Sequence, residues 1–106
     1  MRAIVGALLA MIAVIVSGCR DCIEPKFQEV KGLLDGKLKV GDTRERVEEV
    51  LKSAEIGYTY DRFSNRYQST VRDARCEPYA AVSVYVNLDT SGKVSKVEVS
   101  KTYTSL

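Results

Sequence analysis

Hydrophobic residues follow three patterns along the chain of 106 residues. Residues 3–16 carry no charge, but a helix that spans a bilayer needs about 20 apolar residues. Within residues 25–36 and 43–54, apolar side chains recur every three or four positions, which predicts two amphipathic helices. After Gly57 the period changes to two, as in β-strands with one buried face. The predicted order is an apolar leader, two helices and a set of strands.

Each predicted helix has one apolar face. The residues of these faces are Phe27, Val30, Leu33 and Leu34 in the first helix, and Val47, Val50, Leu51 and Ala54 in the second. Asp42 or Thr43 suits the N-cap of the second helix, and Glu45 would complete a capping box with Asp42. We expect the charged residues of the second helix, among them Arg44 and Glu48, to face water.

The C-terminal half predicts three or four antiparallel strands, with turns at residues 64–65 and 89–92. In the strand of residues 80–88, one face would carry Val82, Val84, Val86 and Leu88, and the other Ser83, Tyr85 and Asn87. Helices and a sheet that are each apolar on one side are best satisfied by packing against each other. We therefore expect an α+β fold, in which two N-terminal helices pack on one face of the antiparallel sheet as a two-layer sandwich.

The leader has the order of a signal peptide, with a positive Arg2, an apolar stretch and small residues at its end. Its last block, Val16-Ser17-Gly18-Cys19, resembles the bacterial lipobox. That resemblance implies cleavage before Cys19 and attachment of a diacylglycerol and an acyl chain such as palmitate to Cys19. The alternatives are an ordinary secretory signal with a chance cysteine, or an uncleaved anchor. Two or three acyl chains would hold the protein on a bilayer.

This interpretation divides the chain into three parts. Residues 1–18 would be a lipoprotein signal peptide, residues 19–24 a lipidated N-terminus and short tether, and residues 25–106 a single α+β domain. With Cys19 acylated, Cys22 and Cys76 are left as thiols in an exported chain, and such a pair predicts a disulfide. Two free buried thiols, or one that bonds to a partner, are the alternatives.

Composition argues against several classes of function. Removal of the first 18 of the 106 residues leaves 88, with 15 Lys and Arg against 14 Asp and Glu, and the two signs are interspersed. We therefore expect no nucleic-acid binding. The chain has no histidine and only three cysteines, so we expect no metal site. It also has no G-x-S-x-G, S-x-x-K or phosphate-loop motif. We expect neither catalysis nor a cofactor.

Six tyrosines lie between residues 58 and 103, in the strand half. Tyr85 would project from the polar face between Ser83 and Asn87, and aromatic residues in a polar surround are favoured at protein interfaces. These three residues are the candidate partner-binding positions. Tyrosine is also common in strands for its packing, and for Tyr58 and Tyr60 we expect packing in the core or at its rim.

Two segments, "GKLKVGDTRERVEEVLKS" and "VSVYVNLDTSGKVSKVEVSK", resemble the small outer-membrane lipoproteins of the SmpA/OmlA (BamE-like) group. The matching positions are Lys39, Val40, Gly41, Thr43, Val47 and Leu51 in the helix, and Asp89, Gly92, Lys93 and Val94 in the turn. The chain departs from the group in "SAEIG", where the group has Gly-x-Pro, and in residues 63–78, where we expect an extra strand or loop that carries Cys76. The resemblance implies a protein-binding module.

We therefore expect a lipid-anchored protein that faces the periplasm and serves as an envelope or outer-membrane assembly or structural accessory. Its partners would be the membrane, through the lipid on Cys19, and a protein of the envelope machinery. The alternative is an inhibitor or immunity lipoprotein that neutralises a toxin or cell-wall hydrolase in the periplasm. By the sorting rule of Gram-negative lipoproteins, Arg20 rather than aspartate after Cys19 favours the outer membrane.

Overall fold

The computed structural model describes residues 22–103, so the predicted signal peptide and Cys19 lie outside the described residues. Two helices precede four strands: α1 (Glu24–Lys37), α2 (Arg44–Ser53), β1 (Thr59–Asp61), β2 (Arg66–Arg72), β3 (Ala80–Leu88) and β4 (Val94–Tyr103). The strands form one sheet in the order β1-β2-β3-β4, and each pairs antiparallel with its neighbour. The expected α+β class is confirmed, with four strands.

Helix α1 and the folded domain begin earlier than predicted. Ile23 is completely buried, and Glu24 is the first residue of the helix, so the predicted tether of residues 19–24 overlaps the domain. Pro25 is tolerated in the first turn, where a backbone N–H has no partner within the helix. The helix passes through its predicted end at Gly36, and the amide of Leu38 donates to the carbonyl of Leu34 at 2.8 Å.

Helix α2 has Thr43 as its N-cap. The Thr43 hydroxyl accepts a hydrogen bond from the amide of Arg46 at 3.2 Å. The carboxylate of Asp42 instead accepts from the amide of Lys39 at 2.9 Å, so it closes the turn before the helix. The predicted capping box between Asp42 and Glu45 is therefore wrong, because Asp42 lies outside the helix and its side chain is used locally.

The apolar faces of both helices and of β3 contribute to one hydrophobic cluster. Its buried members include Val30, Leu34, Val47, Val50, Leu51, Val82, Val84, Val86 and Leu88, and the more exposed residues Phe27, Leu33 and Ala54 pack against it. Every position predicted for these three faces therefore belongs to the cluster or packs against it, because a helical or strand period places such residues on one side.

The segment before α2 is joined to the turn between β3 and β4. The amide of Gly41 donates to the carbonyl of Val94 at 2.8 Å, and the amide of Val94 donates to the carbonyl of Asp42 at 2.9 Å. Gly41 and Gly92 have φ values of +96° and +78°, which favour glycine. The two segments that carry the resemblance to the SmpA/OmlA group therefore contact each other.

Candidate functional site

The three candidate binding residues lie on the sheet face opposite the hydrophobic cluster. Ser83, Tyr85 and Asn87 are each partly exposed, whereas the alternating residues Val84 and Val86 are buried. Strand alternation accounts for this division, since successive side chains point to opposite faces. We call the face that carries Ser83, Tyr85 and Asn87 the open face.

Tyr85 lies in the interior of the open face, with a strand on either side. Its neighbours in register are Gln68 on β2 and Glu98 on β4. The guanidinium carbon of Arg66, diagonally across from Tyr85, lies 4.2 Å from the centre of its ring. Such a cation–π contact contributes about 0.5–1 kcal/mol at an exposed site. The stacked guanidinium holds the ring in place and adds positive charge beside it.

Ser83 and Asn87 are held by side chains of β4. The hydroxyls of Ser83 and Thr102 are 2.6 Å apart, and the Asn87 amide donates to the carboxylate of Glu98 at 3.5 Å. Lys96 lies 2.9 Å from the same carboxylate, and its hydrogen bond is the main reason why the pKa of Glu98 is lowered. The polar groups around Tyr85 are therefore arranged before any partner binds.

A shallow groove of about 370 Å³ opens beside Tyr85. Tyr85, Gln68 and Thr70 form one side, and residues 57–59 form the other. The groove exists because β1 pairs with β2 only as far as Thr59 and Gln68, whereas β2 continues to Arg72 with only β3 beside it. An aromatic ring, a cation and an uncovered strand edge are thus close together, and these are features through which proteins bind extended peptides.

A second cluster joins α2 to the core face of the sheet and was missed by sequence reasoning. Tyr67, which is 1% exposed, donates its hydroxyl to the carboxylate of Glu48 and accepts a hydrogen bond from Arg44 at 3.2 Å. The Arg44 guanidinium also lies 4.3 Å from the Tyr60 ring centre. Arg44 is exposed and Glu48 partly exposed, as expected for this side of the helix, but both also bond to Tyr67, a contact that the sequence did not reveal.

Burial of Tyr67, and then its bond to Glu48, raise the pKa of the Tyr67 hydroxyl, so it is protonated at neutral pH. Tyr58 and Tyr60 pack edge-on or tilted against Tyr67, with ring centres 5.5 and 5.3 Å away. Both are partly buried against the hydrophobic cluster, as predicted. This second cluster is a packing element, because its polar atoms bond to one another.

Cys22 and Cys76 lie at disulfide distance, with their Cα atoms 5.7 Å apart. Cys76 is 1% exposed, whereas Cys22 is exposed. The pair joins the start of α1 to the turn between β2 and β3. Cys19, the predicted site of lipid attachment, precedes this joint by three residues and lies outside the described part of the chain.

Within residues 22–103, no three His, Cys, Asp or Glu side chains are grouped so that they could hold a metal ion. Neither helix in the same range has the length and apolar character needed to cross a membrane.

Comparison with protein-family models, curated proteins and solved structures finds no match to this chain. The resemblance to the SmpA/OmlA group stays a prediction that depends on the helix and turn residues named above.

Proposed function

We propose that this protein is a lipid-anchored, periplasm-facing module that binds another protein through the open face of its sheet. Its role would be that of an envelope or outer-membrane assembly or structural accessory. Three features support the proposal: the lipobox-like block that ends at Cys19, the small domain that begins three residues later, and the environment of Tyr85 on the open face.

The anchor would leave the domain at the membrane surface with its chain outside the bilayer. Removal of residues 1–18 would make Cys19 the first residue, and its acyl chains would supply the membrane affinity, at about 0.8 kcal/mol for each buried CH₂. We propose that α1 and α2 cover one face of the sheet as the second layer of a sandwich. The single hydrophobic cluster shared by helices and sheet supports this arrangement. The open face would then be directed at a partner.

The position of Tyr85 is the main support for the protein-binding proposal. Tyr85 is the one tyrosine on the open face of the described sheet, since Tyr60 and Tyr67 lie on the core face and Tyr103 pairs with Ala80, a core residue. Tyrosine and arginine are the residues on which binding energy is most often concentrated, especially where neighbouring groups exclude water. Arg66 stacks on Tyr85, and the groove beside them offers a place for a partner side chain.

Photo-crosslinking in intact envelopes tests this proposal. A photoreactive residue at Gln68, which lines the groove, should give a discrete crosslinked product with a component of the envelope machinery. The same residue at Phe63, which is fully exposed on the β1–β2 turn, is the matched control and should not. A Tyr85→Ala change should reduce the Gln68 product about tenfold or more, as expected for loss of a residue worth at least about 1.4 kcal/mol of binding.

Three outcomes would contradict the proposal. Equal products from Gln68 and Phe63 would show no preference for the open face. A Gln68 product that Tyr85→Ala leaves unchanged would remove Tyr85 from the interface. A single secreted toxin or cell-wall hydrolase as the crosslinked protein would replace the accessory role with inhibition or immunity.

A further inference from the structure

Exposed large hydrophobic side chains within residues 22–103 fall at the two opposite ends of the sheet. They are Val40, Phe63, Tyr79 and Tyr103, which are 77%, 102%, 59% and 56% exposed. Tyr79 and Tyr103 belong to one end, because Tyr103 pairs with Ala80, the residue after Tyr79. Two exposed aromatic rings therefore lie at the same end of this small domain.

The same end of the sheet carries the cysteine pair. The amide of Tyr79 donates to the carbonyl of Cys76 at 2.8 Å, and Cys76 lies at disulfide distance from Cys22. Lys101, two residues before Tyr103, forms a 2.6 Å ion pair with Glu24 at the start of α1. We call this region, with Cys22, Cys76, Tyr79 and Tyr103, the disulfide end.

The position of Cys19 limits how far the disulfide end can lie from a membrane. Three peptide links separate Cys19 from Cys22, and a fully extended chain covers at most about 3.6 Å per residue. The two residues can therefore be no more than about 11 Å apart. A lipid on Cys19 would thus hold Cys22, and with it the turn that carries Tyr79, next to the headgroups.

The side chains at the disulfide end suit that environment. Tyrosine concentrates at the boundary between lipid and water, because its ring is apolar and its hydroxyl is polar. The nearby charges are balanced: Arg75 pairs with Asp73 at 2.8 Å, and Lys26 pairs with Glu29 at 2.9 Å. Contact between the disulfide end and a membrane therefore does not require anionic lipid.

We propose that the disulfide end rests on the bilayer, with Tyr79 and Tyr103 in its interfacial layer, an inference that rests on the proposed lipidation of Cys19. The other end then points into the periplasm. Strand β4 has 10 residues between Val94 and Tyr103, so at about 3.3 Å per residue its ends are about 30 Å apart. Phe63 lies at the distant end, since neighbouring Asn65 bonds to Leu88 and Asp89 beside the β3–β4 turn. The open face would stand roughly upright, accessible to a partner from the side.

Single-tryptophan fluorescence tests this orientation, because the chain has no tryptophan. The lipidated protein, purified from membranes, is prepared as Tyr79→Trp, Tyr103→Trp and, as matched control, Phe63→Trp. Each variant is reconstituted into phosphatidylcholine vesicles with and without bromine-labelled acyl chains, and vesicle flotation is measured on the same samples. All three substitutions replace one exposed aromatic ring by another.

We expect emission from positions 79 and 103 to be shifted to the blue and quenched by roughly half or more, and emission from position 63 to be almost unchanged. Protein that floats with the vesicles but is not quenched at 79 or 103 would overturn the orientation and leave the lipid anchor intact. Quenching at position 63 that equals or exceeds the quenching at position 79 would also overturn the proposed orientation. Protein that fails to float would overturn the anchor and, with it, the orientation.

Discussion

Loss of the link between Cys22 and Cys76 should cost the domain a large part of its stability. The two cysteines are 54 residues apart in sequence, and closing a loop of that length in the unfolded chain corresponds to about 4 kcal/mol in the chain-entropy model. Single domains have free energies of unfolding of about 5–15 kcal/mol. For a domain of this size, 1 kcal/mol corresponds to about 4–8 °C in Tm. We therefore expect Tm to fall by roughly 15–30 °C.

Cys22→Ser is the cleanest variant for this measurement. Cys22 is exposed, so serine there buries no hydroxyl, whereas Cys76 is buried and is better replaced by alanine. Thermal unfolding of the detergent-solubilised protein, followed by circular dichroism, should give a similar fall in Tm for Cys22→Ser and for the wild type after reduction. A fall of less than about 3 °C in both would contradict this prediction, because it would mean that the link does not constrain the unfolded chain.

Three smaller effects can be measured by urea unfolding. Tyr67→Phe should lower the free energy of unfolding by about 1 kcal/mol, since it removes the hydrogen bond to Glu48 from a buried ring; an unchanged midpoint would contradict this. Thr43→Ala should cost about 1 kcal/mol through loss of the N-cap, and Thr43→Ser, which keeps the hydroxyl, should not. Hydrogen bonds from the Arg75 side chain and amide hold the pKa of Asp73 at about 2, below the value of about 3.9 in an unfolded chain. The Asp73 carboxylate therefore stabilises the fold above pH 4, and this contribution is lost as the pH falls from about 4 to 2. Asp73→Asn should be less stable at neutral pH and should lose less stability over that interval; parallel profiles would count against the assignment.

Local periodicity was sufficient to predict which residues of α1, α2 and β3 face the core. Those patterns depend only on helix and strand geometry, and hydrophobic residues at those positions have one side on which to be buried. The polar face of Ser83, Tyr85 and Asn87 followed from the same alternation. Its binding role stays a prediction.

Contacts between distant parts of the chain could not be predicted in this way. Tyr67 bonds to Glu48, 19 residues earlier, and no local pattern distinguishes Glu48 from the solvated acids of α2. Arg66 stacks on Tyr85 only because β2 and β3 pair in one particular register. The early start of the domain at Ile23 has the same origin, since Ile23 is buried in a cluster with residues that are distant in sequence.

The predicted capping box at the start of α2 is wrong because the Asp42 carboxylate bonds to a different part of the backbone. Asp42 and Thr43 both have suitable oxygens for an N-cap, and the sequence does not rank them. The chain turns at Gly41, so the Asp42 carboxylate accepts from Lys39 instead. Thr43 is then the residue left at the cap position.

The proposed lipid on Cys19 would anchor the domain, and the intact mass of the protein purified from membranes reports directly whether that lipid is present. We expect a chain that lacks residues 1–18 and is heavier than the sequence from Cys19 onward by a diacylglyceryl group and an acyl chain. A Cys19→Ser variant should show neither the cleavage nor the added mass. An unmodified mature chain, or one that keeps its first 18 residues without lipid, would show that Cys19 is not a lipid anchor.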